Sequence, residues 1–175
     1  MKIKQKLVGK TELKVDILGL GCAPLGGNFV DLTYENGAKI IKTALQAGMS
    51  YFDTAAWYGF GRSERLVGDC LRHKKYVLSS KAGRILKPGA VQNPLDFGMI
   101  DPLPFHVMYD YSYDGIMRSY EDGLQRIGLD RIDILLAHDI GAFQHGADNI
   151  RHFNDLAKSG YKAMSELKEQ GAVKA

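Results

Sequence analysis

The chain has 175 residues and a mass of 19.4 kDa, enough for one domain of ordinary size or a piece of a larger one. Hydrophobic residues make up 45% and charged residues 25%, a globular mixture that excludes a disordered polymer. The 23 Lys and Arg against 20 Asp and Glu leave a net charge of +3, which gives no electrostatic case for nucleic acid or for a polybasic membrane patch. No stretch is apolar over the roughly 18 residues that a membrane span needs. The opening MKIKQKLVGKTELK has no apolar run long enough for a secretory signal. Cys22 and Cys70 stand far apart and form neither a disulfide framework nor a metal motif, so the expectation is reduced thiols in a cytoplasmic protein.

In chain order, Lys4–Val8 and Leu13–Asp16 read as a β-hairpin turning through Gly9–Glu12. Val15–Leu20 then reads as a buried strand. Thr33 can cap a helix in which Gly37, Ile40, Ile41, Ala44 and Leu45 fall in phase, with Gly48 as its stop. Ser50–Asp53 is a strand, and Ser63 opens a helix carrying Leu66, Val67, Cys70 and Leu71 on one face. Tyr76–Lys81 is a third strand. The stretch from Ala82 to Tyr111 is too long for an ordinary connection and reads as an irregular functional loop or insertion (82–111). Ile116, Met117, Tyr120, Leu124 and Ile127 mark a third helix ending near Gly128. Arg131–His138 holds the fourth strand, and a polar loop, read as mobile, leads to a helix with Tyr161, Met164 and Leu167. Ala172–Ala175 looks like the opening of a fifth strand.

Strand followed by helix, repeated, predicts parallel βα units, which build either an open doubly wound sheet or a (β/α)₈ barrel. The leading hairpin favours the barrel, because it can plug the bottom of one. A full barrel takes about 250 residues. The expectation is therefore a single domain over 1–175 of α/β, TIM (β/α)₈ type, truncated to about four βα units after an N-terminal β-hairpin. Its last strand would leave an open edge available for self-association.

Gly19 and Gly21 follow a strand, but the next glycine is Gly26, so the dinucleotide-binding spacing fails and a tight turn is the better reading. A stronger pattern lies at the strand ends. Asp53 ends the second strand, Lys81 the third and His138 the fourth, each after an apolar run. In a parallel barrel the active site sits at the C-terminal ends of the strands. Burying Asp or Lys singly is costly, and adjacent placement lets them pair. Such a pair can be purely structural, but Tyr58 in the adjoining loop adds a group with its own acid–base chemistry. Trp57 either walls a substrate site or packs on the barrel rim. His138, His145 and His152 recur every seven residues, with Asp139 and Asp148 nearby, but this is no known ligand spacing, and no metal is expected.

FDTA–WYG, SSKAGR and LLAHD, in this order, resemble the aldo-keto reductases, and SERLVGDCLR after the tyrosine loop fits as well. The resemblance covers essentially the whole chain. The GLGCAPLGGN run and the insert ending in YDYSYDGIMRS look most like the branch with aldose (fucose-type) and pyridoxal dehydrogenases. The resemblance implies a (β/α)₈ barrel, NAD or NADP as cofactor, a small carbonyl or sugar substrate, and a catalytic tetrad of Asp53, Tyr58, Lys81 and His138. It also implies that Gly21, Cys22 and Asp53 border the nicotinamide, and that Trp57, Tyr58 and His138 face the substrate. The chemistry is coherent. Carbonyl reduction needs hydride on carbon and a proton on oxygen, and a free tyrosine, with a pKa near 10, is a poor acid at neutral pH. A Lys81 cation beside it would stabilise the phenolate, and Asp53 would hold Lys81. Most of the family's cofactor grip comes from the last strands, so weak binding of nicotinamide by this chain alone is expected. The alternatives are a non-catalytic half-barrel that dimerises or docks on a partner, and a metal-dependent barrel hydrolase or isomerase using His138 and Asp139.

Overall fold

A computed structural model describes residues 3–175; Met1 and Lys2, part of the N-terminal stretch read for a signal, lie outside the described residues. The leading hairpin pairs β1 (Gln5–Leu7) with β2 (Lys14–Asp16) in antiparallel register, Gln5 opposite Asp16. Asp16 is buried and accepts hydrogen bonds from Gln5 Nε2 at 2.9 Å and Ser50 Oγ at 2.8 Å. The Ser50 bond ties the hairpin to the start of the strand Tyr51–Asp53. The strand expected over Val15–Leu20 is instead divided. Val15 and Asp16 belong to the hairpin, Ile17 and Leu18 are exposed, and the sheet strand β3 is only Leu20–Gly21. An apolar run alone does not show where a chain changes sheets.

Strands β3, β4 (Tyr51–Asp53), β5 (Val77–Ala82) and β8 (Ile134–Ala137) form one parallel sheet in that order. Between them run α1 (Tyr34–Gln46), α2 (Arg62–Leu71) and α3 (Tyr113–Ile127). Thr33 caps α1 by accepting from Asn36 N at 3.2 Å, and Ser112 caps α3 by accepting from Gly115 N at 3.2 Å. Ile41, Leu66, Leu71, Ile116 and Ile127 from these helices meet Phe52, Leu78 and Leu135 from the strands in the main core. Residues 172–175 run beside β8: Lys174 N donates to Asp133 O at 2.8 Å and Leu135 N to Ala175 O at 3.0 Å. The fifth-strand expectation fits this pairing.

Two further segments depart from expectation. The stretch 82–111 is not irregular. It holds an antiparallel hairpin of β6 (Arg84–Pro88) and β7 (Phe105–Tyr109), with Arg84 opposite Tyr109, over a small second core of Ala56, Phe60, Leu86 and Met99. The polar segment after β8 is helical: α4 (Ala142–His145), α5 (Asn149–Asp155), one π-turn over Leu156–Gly160, then α6 (Tyr161–Glu169). Among the described residues no helix is long and apolar enough to cross a membrane.

Candidate active site at the C-terminal ends of the strands

Register brings the strand-end groups together. Asp53 stands opposite Ser79; Lys81, two residues further along β5, stands opposite Leu136; and His138 follows Leu136 by two. Side chains alternate faces along a strand, so residues two apart share one. Phe52, Leu78 and Leu135 point to the helices and fill the core. Asp53, Ser79, Lys81 and His138 therefore share the opposite face, which would be the inside of a closed barrel. The two-residue stagger keeps their heads adjacent.

The contacts follow from that placement. Lys81 Nζ donates to Asp53 Oδ2 at 2.7 Å and to the Thr54 carbonyl at 3.0 Å. Ser79 Oγ donates to the other Asp53 oxygen at 2.6 Å. Both carboxylate oxygens are thus occupied and the lysine has a fixed position. Burial pulls the Lys81 pKa down, but the hydrogen bond and charge of Asp53, with Tyr58 adding to them, outweigh it and hold the amine above its ordinary value. The ammonium is 4.8 Å from the centre of the Tyr58 ring, and the His138 ring stands edge-on to that ring at 6.0 Å. Asp53, Tyr58, Lys81 and His138 therefore form one cluster.

Tyr58 reaches this cluster on a tight loop, residues 54–61, pressed against the turn after β3. A Cβ on Gly26 would lie 2.4 Å from the Tyr58 carbonyl carbon, and one on Gly59, whose φ is +62°, would lie 2.0 Å from Gly26 O. Only two glycines allow that approach. His138 is 3% exposed, and its pKa is lowered to about 2 by burial first and then by the Arg84 and Lys81 cations. The ring is neutral. Tyr111, fully buried, donates its hydroxyl to the His138 carbonyl, and burial raises its pKa to about 12. Gly83, with φ +99°, makes room for the Tyr111 ring, which would sit 2.2 Å from any Cβ there.

The remaining expected residues separate. Gly21 is level with Asp53 on the inner face, and a Cβ there would meet nothing within 4 Å. Cys22, one residue on, faces the other way: its side chain is fully buried in the helix-side core, and burial raises its thiol pKa to about 12. Only its backbone is near the site, where the amide donates to Asp53 O at 2.8 Å. Trp57 is half-buried, edge-on to Phe60 and Phe97 at 5.8 and 5.9 Å. His145 and His152 lie with ring centres 4.5 Å apart and planes tilted by 50°, among Tyr109 and Tyr111. Among the described residues no group of three His, Cys, Asp or Glu side chains is placed to hold a metal ion. Sequence reasoning did not single out Ser79, Thr54 or Arg84. Ser79 was legible in principle, since it shares the inner face with Lys81 two residues on.

The aldo/keto reductase family profile matches residues 17–175. A pyridoxal 4-dehydrogenase from Microbacterium luteolum is 40% identical over 183 aligned positions, covering 98% of this chain and 54% of that protein. A D-threo-aldose 1-dehydrogenase from a Pseudomonas species is 35% identical, over 93% of this chain and 49% of that one. In structure, an aldo-keto reductase of Bacillus halodurans in its holo form superposes with a TM-score of 0.69 at 24% identity, covering 98% of this chain and 48% of that chain, a likeness that carries the TIM-barrel fold. The chain spans about half the length of these relatives. By profile, strand order and identity alike, it belongs to the aldo/keto reductase family.

Proposed function

We propose that the protein serves an NAD(P)-dependent oxidoreductase reaction, moving hydride between a nicotinamide and the carbon of a small aldehyde, aldose lactol or alcohol. The observation that carries this reading is the Asp53–Lys81 ion pair held against the Tyr58 ring with neutral His138 alongside. The family relation to dehydrogenases named for pyridoxal and for D-threo-aldoses supports the substrate class.

The inner face suits a flat cofactor ring. Gly21 leaves open space level with Asp53, so a planar group can lie close to the strand end there. A nicotinamide at that place supplies or accepts the hydride. The chain's own residues handle the proton. In oxidation, the Tyr58 oxygen takes the proton from the substrate hydroxyl; in reduction it returns one to the forming alkoxide. Charge developing on that oxygen is stabilised by the Lys81 cation, which Asp53 keeps in register. Neutral His138 stands beside the Tyr58 ring without bringing a second positive charge to the substrate oxygen. Trp57, braced by Phe60 and Phe97, would wall the substrate ring in this reading.

Tyr58→Phe removes the proton donor and keeps the ring. Turnover should fall about a hundredfold or more, while nicotinamide affinity by fluorescence titration stays within a factor of two or so of wild type. Normal turnover in Tyr58→Phe would remove Tyr58 from the mechanism.

A further inference from the structure

Arg84 opens β6, three residues after Lys81, and its side chain is 1% exposed. Its guanidinium lies 4.5 Å over the Trp57 ring and 5.7 Å from the Tyr109 ring centre. Its one carboxylate partner among the described residues is Asp139, with Nη2 to Oδ2 at 2.9 Å, and its Nε is buried with no hydrogen-bond partner. Burying a guanidinium with so few acceptors is costly, and an apolar side chain would fill the same space without that cost. A packing role alone does not explain it.

The partner explains more. Asp139 follows His138 directly and has φ +41°, a left-handed conformation that a non-glycine residue adopts at a cost. Its Oδ2, the oxygen that Arg84 holds, is 3.4 Å from His138 Nε2. The other His138 nitrogen, Nδ1, is buried without a partner among the described residues, so none of them fixes the ring on that side. The backbone is held by the Tyr111 hydroxyl on the His138 carbonyl and by the His138 amide on Ala82 O at 3.0 Å. The carboxylate beside the ring is that of Asp139, 3.4 Å from Nε2.

The geometry points to Arg84 as a positioning residue for His138: its guanidinium pins Asp139 in the left-handed turn that ends β8, and the pinned carboxylate orients the imidazole opposite Tyr58. Arg84 also presses on Trp57 from the same side, so one buried cation sets both the ring that contacts substrate oxygen and the wall beside it. This rests on the oxidoreductase reading for its catalytic consequence, but the placement of the ring is measurable without turnover.

The test compares Asp139→Asn, Arg84→Met, Arg84→Lys and the Asp139→Asn/Arg84→Met double variant. Asp139 has a 63% exposed side chain, so Asp139→Asn keeps the inference testable even if Arg84→Met fails to fold. The first readout is the His138 ring signals in ¹⁵N-edited spectra of nicotinamide-free protein, assigned with His138→Gln. The second is kcat against the KM for nicotinamide. Asp139→Asn and Arg84→Met should each shift the His138 signals and lower kcat about ten- to hundredfold with KM little changed. The double variant should be no worse than the poorer single, because both act through one contact. Arg84→Lys should recover part of kcat. Unchanged ring signals and unchanged kcat in Asp139→Asn would overturn the inference. Ring shifts in a protein that transfers no hydride even as wild type would support the positioning and count against the oxidoreductase reading instead.

Discussion

Lys81 and Asp53 show what a single pair can decide. The lysine is 13% exposed and the aspartate 28%, so the pair is shielded but not dry. Removing the carboxylate leaves the cation with Thr54 O alone. Burial is then opposed only by the smaller contribution of Tyr58, and the Lys81 pKa should fall from its raised position. The sign follows directly. A lysine whose folded pKa is raised contributes stability at pH below its unfolded value, and loses it as pH rises through the folded value. Asp53→Asn should therefore cost about 2 kcal/mol at neutral pH, below the roughly 3–5 kcal/mol of a fully buried broken pair because water reaches Asp53. It should also move the alkaline limb of the pH–rate profile downward. Denaturant unfolding and the rate profile check the two halves separately. A stability loss with an unmoved alkaline limb would make the pair structural only.

At the scale of elements, the loop that carries Tyr58 works because glycines let two backbones touch. Gly26→Ala places a Cβ against the Tyr58 carbonyl, and backbone cannot swing aside as a side chain tip can. Overpacking of this kind costs about 1–3 kcal/mol, but its effect on chemistry is larger, because a shift of about 1 Å at a reacting group can cost a hundredfold in rate. Gly26→Ala should thus fold, melt a few degrees lower and lose most turnover. Equal losses in a control such as Gly123→Ala in α3, where a Cβ makes only ordinary contacts at 3.6 Å or more, would refute the loop argument.

The same scale shows what the chain made legible. Helices α1, α2 and α3 were readable because their apolar residues recur at helical spacing between a cap and a stop, as Thr33, Ile41, Ala44 and Gly48 do. The β6–β7 hairpin was not. Its strands are joined by a long connection with Pro94, Pro102 and Pro104, no tight turn marks it, and only the alternation of Phe105, Val107 and Tyr109 betrays a strand. Segment 142–160 hid its helices because its inward contacts are made by His145 and His152 rather than by an apolar stripe. Asp53, Tyr58, Lys81 and His138 were legible as strand-end and loop residues. Arg84 was not, since a cation at the start of a strand looks like ordinary surface until its burial is seen.

Across the whole molecule, the inner face concentrates charge that the fold must keep in one protonation state. Lys81 and Arg84 are cationic and sheltered, and His138 lies between them. Its pKa of about 2 in the fold compares with 6.5 for the free side chain. Between those values the unfolded chain binds a proton that the folded one refuses, so stability rises with pH and is lost as pH falls below about 6.5. The slope for one such group approaches about 1.4 kcal/mol per pH unit. His145, also lowered by burial, by His152 and by Arg84, adds in the same direction. Ordinary carboxylates titrate only near pH 4, so the window from about pH 6.5 to 5 belongs to histidine. The protein should lose about 1–2 kcal/mol on acidification across that window, measured by denaturant unfolding. His138→Gln should flatten most of that slope while leaving in place the alkaline stability to which the raised Lys81 contributes. If His138→Gln and wild type lose stability in parallel, His138 is not the group that titrates across this window, and the acid sensitivity belongs to His145 instead.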